Sequence, residues 1–448
     1  SGKEEKEEEK CGEEKSASDV DLRSSPVRYP QLIYDTAKQF QAAMDKALQS
    51  FVFSVGLTGH QMESYENFIH RSLSTIVEEQ SPLTINCSKQ RVYHTLSFSD
   101  TCVRYPTIME ASGVLRRISP KEAHQRRLTY SCDVLVSIHH KVYASTAEKP
   151  TEFKLMENLM YKRETFGKIP CMLHSSVCND RRNLNSPYRH LSGLFIINGY
   201  KKCLISQSQP RSNFVYVLPP KYTNGRKIIQ CELRALHSKK IRSTSTVYIS
   251  FVSLKGDVPE MSVIVPFIKF SVPFTTLFRL LGVDDLAFIV SLITGNSVNY
   301  KLQHLVQNMV YADNLESNVD HLDHEEILDY IGRQGTTERN RKKRVMFVSK
   351  VIQNELLPHT GSDFSTPEAA EHTNFMKACH LAHAIRKVMR VHLGEIPPDD
   401  RDEQQNQDIC CPGDLMALLL RQLTRNMIKL LRVQIFKAVK SGRYININ

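Results

Sequence analysis

Apolar side chains recur every three or four residues in some stretches of this chain and every second residue in others, and the change of period divides it into blocks. Over residues 32–53 the spacing is helical, with Phe40, Met44 and Leu48 as the stripe. Residues 60–77 repeat that spacing through Tyr65, Phe68, Ile69 and Leu73. The period then shortens. Residues 91–98, 129–138 and 214–218 are β-branched or aromatic and partly alternating, which predicts strands. The sharpest local signal is Leu194-Phe195-Ile196-Ile197, then Asn198-Gly199, then Tyr200-Lys201-Lys202-Cys203-Leu204-Ile205. Asn-Gly readily takes positive φ at both central turn positions, so a tight hairpin is predicted there.

A second strand-rich block covers 227–270, with Pro219-Pro220 as a seam before it. From Phe274 the spacing is helical through Leu277, Phe278, Leu280 and Leu281 to Ile293. Further helices are predicted over 325–332 and over 338–357, the latter stopped by Pro358. Residues 367–393 form a long one, with Pro367 in its first turn and Gly394 and Pro397 after its end. Its predicted apolar stripe is Phe375, Ala382, Ile385, Met389 and Leu393. Residues 396–412 are polar and acidic, a loop, after which Asp414 caps a last helix to about Lys440. No 20–50-residue repeat is visible, which excludes solenoids and propellers. Strand clusters flanked by separate helical blocks, without βαβ alternation, predict an α+β fold with mixed sheets.

Composition adds a partner class. The 448 residues are 41% apolar and 24% charged, as in folded proteins, and allow several domains. The longest apolar runs, such as 415–420, are too short to span a bilayer, so no membrane association is expected. The first twenty residues are acidic and polar, unlike a secretory signal, and residues 1–28 read as a disordered leader. Residues 1–21 hold nine acids and four lysines, so the body behind them is more basic than the net charge of +11 indicates. A basic body points to a polyanion, usually nucleic acid, although basicity alone does not choose it.

Eleven cysteines without a secretory signal read as reduced thiols. No CxxC pair exists, and Cys171 and Cys178 are too far apart for a zinc knuckle. His321 with His324, or Cys379 with His380 and His383, could approach a metal on one helix face. No second ligand pair accompanies either set, so packed or solvated side chains are the better reading, and no metal site is expected.

Two cationic features stand out. Arg333, Arg339, Arg341, Lys342, Lys343 and Arg344 place six charges within twelve residues, opposed only by Glu338. Such a run could displace counterions from a phosphate backbone, form a solvated face, or act as a nuclear-targeting patch. In the last helix Arg421, Arg425, Lys429 and Arg432 fall within roughly 80° of arc. Met416, Leu420, Leu423, Met427 and Leu431 lie beside them, predicting a helix that packs on one side and shows cations on the other. The candidate nucleic-acid-binding residues are therefore Arg333, Arg341, Lys342, Lys343, Arg344, Arg421, Arg425, Lys429 and Arg432.

Asp399, Asp400 and Asp402 have the composition of a magnesium site, but Arg401 sits among them in a polar loop and no further acids converge. Walker A, GxGxxG, GxSxG and HExxH are all missing, so no catalytic residue is assigned.

Several segments, in this order, resemble the second-largest subunit of eukaryotic-type multisubunit RNA polymerases, relatives of the bacterial β subunit. Ile118-Ser119-Pro120-Lys121-Glu122-Ala123 with Leu128-Thr129-Tyr130-Ser131 is similar to the stretch that feeds a strand of the family's protrusion. Gly167-Lys168-Ile169-Pro170-Cys171-Met172-Leu173 resembles its G-x-x-P-I-M-L segment, and 192–202 its G-G-Y-F-I-I-N-G-x-E-K hairpin. Val265-Pro266, Val272-Pro273 and Leu277-Phe278-Arg279-Leu280-Leu281-Gly282 resemble motifs of the lobe. So do Tyr330-Ile331-Gly332-Arg333-Gln334-Gly335 and Glu355-Leu356-Leu357-Pro358-His359. Asp399-Asp400-Arg401-Asp402, followed by Gly413, resembles D-D-R-D-…-G, where the family chain re-enters the protrusion. Each motif is weak alone; their collinearity over roughly 100–440 carries the resemblance.

Departures exist. Ser192 and Leu194 replace a glycine and the tyrosine of the hairpin motif, and Tyr200-Lys201 stands where a small residue and glutamate are usual. These mark a divergent lineage, viral or distantly eukaryotic.

The resemblance implies two domains, with the lobe (215–402) inserted into the protrusion (29–214 and 403–448). It also implies a wall of a DNA cleft, in an enzyme that transfers nucleotides onto RNA. Implied partners are template DNA, the largest and other polymerase subunits, and transcription factors, in the nucleus or, for a virus, the host cell or virion. The family's Mg²⁺ is held by the largest subunit, so no cofactor is expected on this chain. The alternatives are a free-standing nucleic-acid-binding protein, or a polymerase-docking protein, derived from such a subunit.

Overall fold

The computed structural model describes residues 37–87, 92–146, 149–181, 191–237, 240–254, 258–295, 299–317, 322–361 and 363–441. The predicted leader, 1–28, lies outside them. The chain divides into two compact units, 1–57 and 58–448. In the first, helix α1 (Ala37–Val55) forms where the spacing predicts it, with Phe40, Met44 and Leu48 exposed.

The second unit opens with α2 (Gly59–Asn67), which runs through one π turn (Phe68–Ser72) into α3 (Leu73–Glu78). Tyr65, Phe68, Ile69 and Leu73, the predicted stripe, are all buried. Strands β1 (Leu83–Cys87) and β2 (Val92–Arg104) follow, then the small pair β3 (Thr107–Met109) and β4 (Leu115–Arg117). Helix α4 (Pro120–Gln125) starts at Ser119, whose Oγ accepts the Glu122 N–H, with Pro120 in the first turn.

Next come β5 (Ser131–Thr146) and β6 (Lys149–Pro170), which complete an antiparallel sheet of order β1-β2-β5-β6. The sequence pattern predicted only the first part of β5 and none of β6. Most described β6 side chains are exposed, so the alternation of a half-buried strand is missing.

The predicted hairpin is present as β7 (Phe195–Ile197) and β8 (Tyr200–Lys202), shorter than the sequence run. Ile197 pairs with Tyr200 across Asn198 (φ 52°) and Gly199 (φ 77°). Gly199 is also pressed against the chain, since a Cβ there would sit 2.6 Å from Arg127 Cα. β9 (Gln207–Pro210) closes this part of the chain.

The middle of the chain builds a second antiparallel sheet from β10 (Val215–Val217), β11 (Lys221–Thr223), β12 (Arg226–Ala235), β13 (Ser245–Ser253), β14 (Glu260–Ile264) and β15 (Ser271–Pro273). β10 pairs with β12, Val217 opposite Cys231, so Pro219-Pro220 falls inside the sheet and not before it. The predicted helical run 274–293 is two helices, α5 (Phe274–Leu280) and α6 (Leu286–Thr294). Gly282 (φ 86°) breaks the run, and the Asp285 side chain caps the second piece through the Ala287 N–H.

Helix α7 (Tyr300–Ser317), absent from the sequence prediction, buries Leu302, Val306, Met309 and Val310. Then follow α8 (His324–Gly335), α9 (Arg341–Asn354) and α10 (Pro367–His392). α9 starts three residues later than predicted because Asn340 caps it, accepting the Lys342 N–H at 3.0 Å. Lys377 of α10, wholly buried, donates to the carbonyls of Ile352 and Gln353 at the end of α9. Phe375, placed in the predicted stripe of α10, is exposed; Ala378, Leu381, Ala382, Ile385, Val388 and Met389 are buried.

The predicted loop 396–412 holds one strand, β16 (Gln407–Cys410), paired with β9 some 200 residues earlier. Last comes α11 (Pro412–Lys440). Its cap is Cys411; Asp414 sits at the third helical position and takes the Cys411 N–H on its carboxylate. Ala417, Ile428, Ile435 and Val439 of α11 are buried in the same core as Tyr65, Leu96, Val136 and Ile196. A separate core holds buried apolar residues from Val215 to Val391. The fold is α+β, with separate sheets and helical blocks as expected. Among the described residues no helix is long and apolar enough to cross a membrane.

Candidate nucleic-acid interface

The first cationic feature is organised by one buried carboxylate. Asp329 on α8 accepts from Arg333 Nε at 2.8 Å and from Arg344 Nε at 2.9 Å. Gly332 lets α9 approach, since a Cβ there would stand 3.3 Å from Arg344 Cβ. Arg344 is only 11% exposed and also donates to the Arg339 carbonyl at 2.8 Å, so it ties the α8–α9 turn together. Arg333 keeps 69% of its side chain in solvent. Thus Arg344, a predicted phosphate contact, faces inward, while Arg341, Lys342 and Lys343 are exposed in the first turn of α9.

That turn carries no acid, and cations at a helix N-terminus oppose its dipole. The Asn340 side chain takes the Lys342 N–H, so what this turn offers an anion is the three exposed cations. A groove beside it is lined by His324, Glu325, Arg341, Lys342 and Met346.

The second feature is the predicted stripe of α11, with the same division of labour. Arg421 is 13% exposed and donates from Nε to Glu79 at 3.2 Å. Burial lowers its pKa, Glu79 opposes that, and the nearby charges of Arg242 and Arg425 lower it further. Arg425, Lys429 and Arg432 are exposed, and among the described residues none of them makes an ion pair. Leu423, predicted on the packed side, is instead exposed, in an outward row with Leu419, Leu430 and Val433.

Arg242 was missed by the sequence reading. It lies between β12 and β13, and its guanidinium donates to Glu355 at 3.2 Å. A short basic run, Lys240-Ile241-Arg242, was the only signal for it.

The acidic triplet does not converge. Asp399 accepts from Lys387 Nζ at 2.7 Å and from the Val217 N–H at 2.7 Å, tethering the chain to β10. Asp400 accepts the Asp402 N–H, and Asp402 is 79% exposed. Arg401 reaches instead to Glu232, at 3.2 Å. These are loop-closing contacts, and the residues do not fit a magnesium cradle.

His380 and His383 lie 6.4 Å apart by ring centroid, and the His359 ring meets His380 edge-on at 4.6 Å. The fold also brings Cys132, Cys171 and Cys178 into one buried group with Tyr130, whose hydroxyl lies 3.4 Å from Cys178 Sγ. His321 lies outside the described residues. Among the described residues no three of His, Cys, Asp and Glu form a ligand set.

Comparison with known proteins adds the family. The model of the family described as RNA polymerase beta subunit matches residues 56–448. The chain is 27% identical over 426 residues to DNA-directed RNA polymerase II subunit 2 of Arabidopsis thaliana, covering 88% of this chain and 34% of that one. It is 28% identical to DNA-directed RNA polymerase II subunit RPB2 of Schizosaccharomyces pombe, covering 89% and 34%. An archaeal relative, DNA-directed RNA polymerase subunit Rpo2 of Saccharolobus shibatae, is 26% identical, covering 89% and 32%. The chain thus spans about a third of the length of these relatives.

Proposed function

This chain belongs to the RNA polymerase beta subunit family, and we propose that it is the N-terminal part of the second-largest subunit of a DNA-directed RNA polymerase, forming one wall of the DNA cleft. Residues 29–214 and 403–448 would be the protrusion and 215–402 the lobe inserted into it. What supports that division is the pair of cores: one built from both sides of the middle block, the other from the middle block itself.

The observation that carries the functional reading is the set of exposed cations that make no ion pair among the described residues: Arg341, Lys342 and Lys343 on α9, and Arg425, Lys429 and Arg432 on α11. Cations held this way neutralise backbone phosphates and release condensed counterions, which gives affinity without sequence preference. Arg344 and Arg421 act differently, as largely buried anchors that fix the surfaces carrying the others.

The reaction served would be nucleotidyl transfer to a growing RNA, in the nucleus or, for a viral polymerase, in the host cell or virion. The acids here do not fit a metal, so no catalytic step is assigned to this chain, and the Mg²⁺ of the polymerase would be held elsewhere. Partners would be template DNA, the largest and other subunits, and transcription factors. The outward apolar row of α11 is the surface we assign to further polypeptide of the same polymerase, because the relatives extend well beyond the matched length.

The test is the salt dependence of duplex binding by this chain. Wild type should lose affinity linearly on a log–log plot. Replacing Arg341, Lys342 and Lys343 with Ala, leaving Arg344 in place, should flatten the slope by about 2 to 3. Binding that ignores salt would remove the cleft-wall reading and favour a docking role.

A further inference from the structure

The two cores meet where the segment between β12 and β13 crosses α11, and the charges there do not balance. Ile241 packs against the first core, and its N–H donates to Glu79 at 3.2 Å. The neighbouring Arg242 donates to Glu355, just past the end of α9 and so beside the second core, while its Nε is buried without an acceptor. Ser245 Oγ donates to the Glu355 carbonyl at 2.8 Å, fixing that side. Glu79 is shared, since it also takes Arg421 Nε at 3.2 Å.

The charges of Arg242 and Arg425 both act on Arg421, and among the described residues the ion pairs these three guanidiniums make are with two carboxylates, Glu355 and Glu79. The surplus opens onto a groove lined by Ser243, Arg421, Gln422, Arg425, Asn426 and Lys429, with Leu418 and Leu419 as its apolar part. Two carboxamides, a hydroxyl and two exposed cations on successive turns supply donors to that wall, and no carboxylate lines it.

Resting on the cleft-wall reading, we infer that this groove is a phosphate seat spanning both cores, taking one phosphodiester of the nucleic-acid backbone on Arg425 and Lys429. Gln422 and Asn426 fill the remaining acceptor positions. Arg421 and Arg242 are positioning residues, clamped by Glu79 and Glu355 so that their charge adds to the seat without touching the ligand.

A single seat differs from a row of independent cations in one measurable way. If Arg425 and Lys429 hold the same phosphate, losing either loses that phosphate, so the two effects do not add. Fluorescence anisotropy of a labelled duplex, titrated with salt, reads this on the 448-residue chain. Arg425→Gln, Lys429→Gln and the double variant should each lower the log–log slope by about 0.9. An additive fall of about 1.8 in the double variant means separate solvated cations, and the seat is overturned. No fall, while Lys342→Gln/Lys343→Gln still flattens the slope, overturns the seat and leaves the cleft-wall reading intact.

Should wild type show no salt-dependent binding, that reading fails, and the seat is judged on inorganic phosphate alone. A rise in melting temperature with phosphate over chloride at matched ionic strength, absent in Arg425→Gln, would keep it as a free-phosphate site. No rise would discard it.

Discussion

Asp329 shows how one carboxylate can govern a basic surface. Burial alone would raise its pKa, but Arg344 and Arg333 hold it below the usual carboxylate value. A folded-state pKa below the unfolded one stabilises the fold above about pH 4, and that contribution is lost as pH falls through the folded value. Asp329→Ala would leave Arg344 largely buried without its counter-ion, which should cost about 3–5 kcal/mol in urea unfolding. A cost under about 1 kcal/mol would mean that Arg344 swings freely into solvent.

The histidines of the second core set a higher pH window. Burial, with His359 and His383 nearby, pushes His380 down to about 4, and burial also lowers His359. Both nitrogens of His359, and Nε2 of His380, are buried without hydrogen-bond partners. An unfolded histidine takes its proton near pH 6.5, so between there and about pH 4 the folded chain binds fewer protons and stability falls with pH. The urea midpoint should drop between pH 7 and pH 5, and His380→Phe should remove part of the drop. An undiminished drop would move the acid sensitivity to another buried pair, such as His94 and His140, whose ring nitrogens lie 3.1 Å apart.

At the scale of elements, the helix that returns to the first core depends on one glycine. Gly413 is the glycine that follows the Asp399-Asp400-Arg401-Asp402 motif, and a Cβ on it would overlap the backbone carbonyl of Ser64. Its N–H also donates to Ser64 Oγ at 3.0 Å, so α11 touches down on α2 at this point. Gly413→Ala should force the two apart and destabilise the chain by about 1–3 kcal/mol. An unchanged melting temperature would show that α11 can shift on α2 without loss.

The elements legible in sequence are those whose information is local. Asn198-Gly199 specifies its own turn, and the 3.6 period of 367–393 specifies α10. β16 was hidden because its partner is β9, and nothing in 396–412 reports a strand so distant. β6 was hidden because its exposed side chains carry no alternation. α7 carries a local signal too, since Leu302, Val306, Met309 and Val310 follow helical spacing. Of the candidate interface, position along the helix was legible and direction only in part. Arg344 and Arg421 turned out to be anchors because Asp329 and Glu79 lie opposite them, and the fold brings in Arg242, which the sequence marks only by a short basic run.

For the molecule as a whole, the question is whether two cores mean two cooperative units. Each is densely apolar: Phe68 is 1% exposed in the first core and Phe251 is wholly buried in the second. Between them lie β9 with β16, the Ile241–Glu79 hydrogen bond and the Arg242–Glu355 pair, contacts that are mostly polar and at the edge. Polar edge contacts couple domains weakly compared with a shared apolar core, so each core should melt as its own transition in calorimetry. Phe68→Ala and Phe251→Ala should each cost about 3–5 kcal/mol and move different transitions. One shared transition, lowered alike by both, would make 58–448 a single cooperative body. In that case a load placed on the second core would be felt directly in α11.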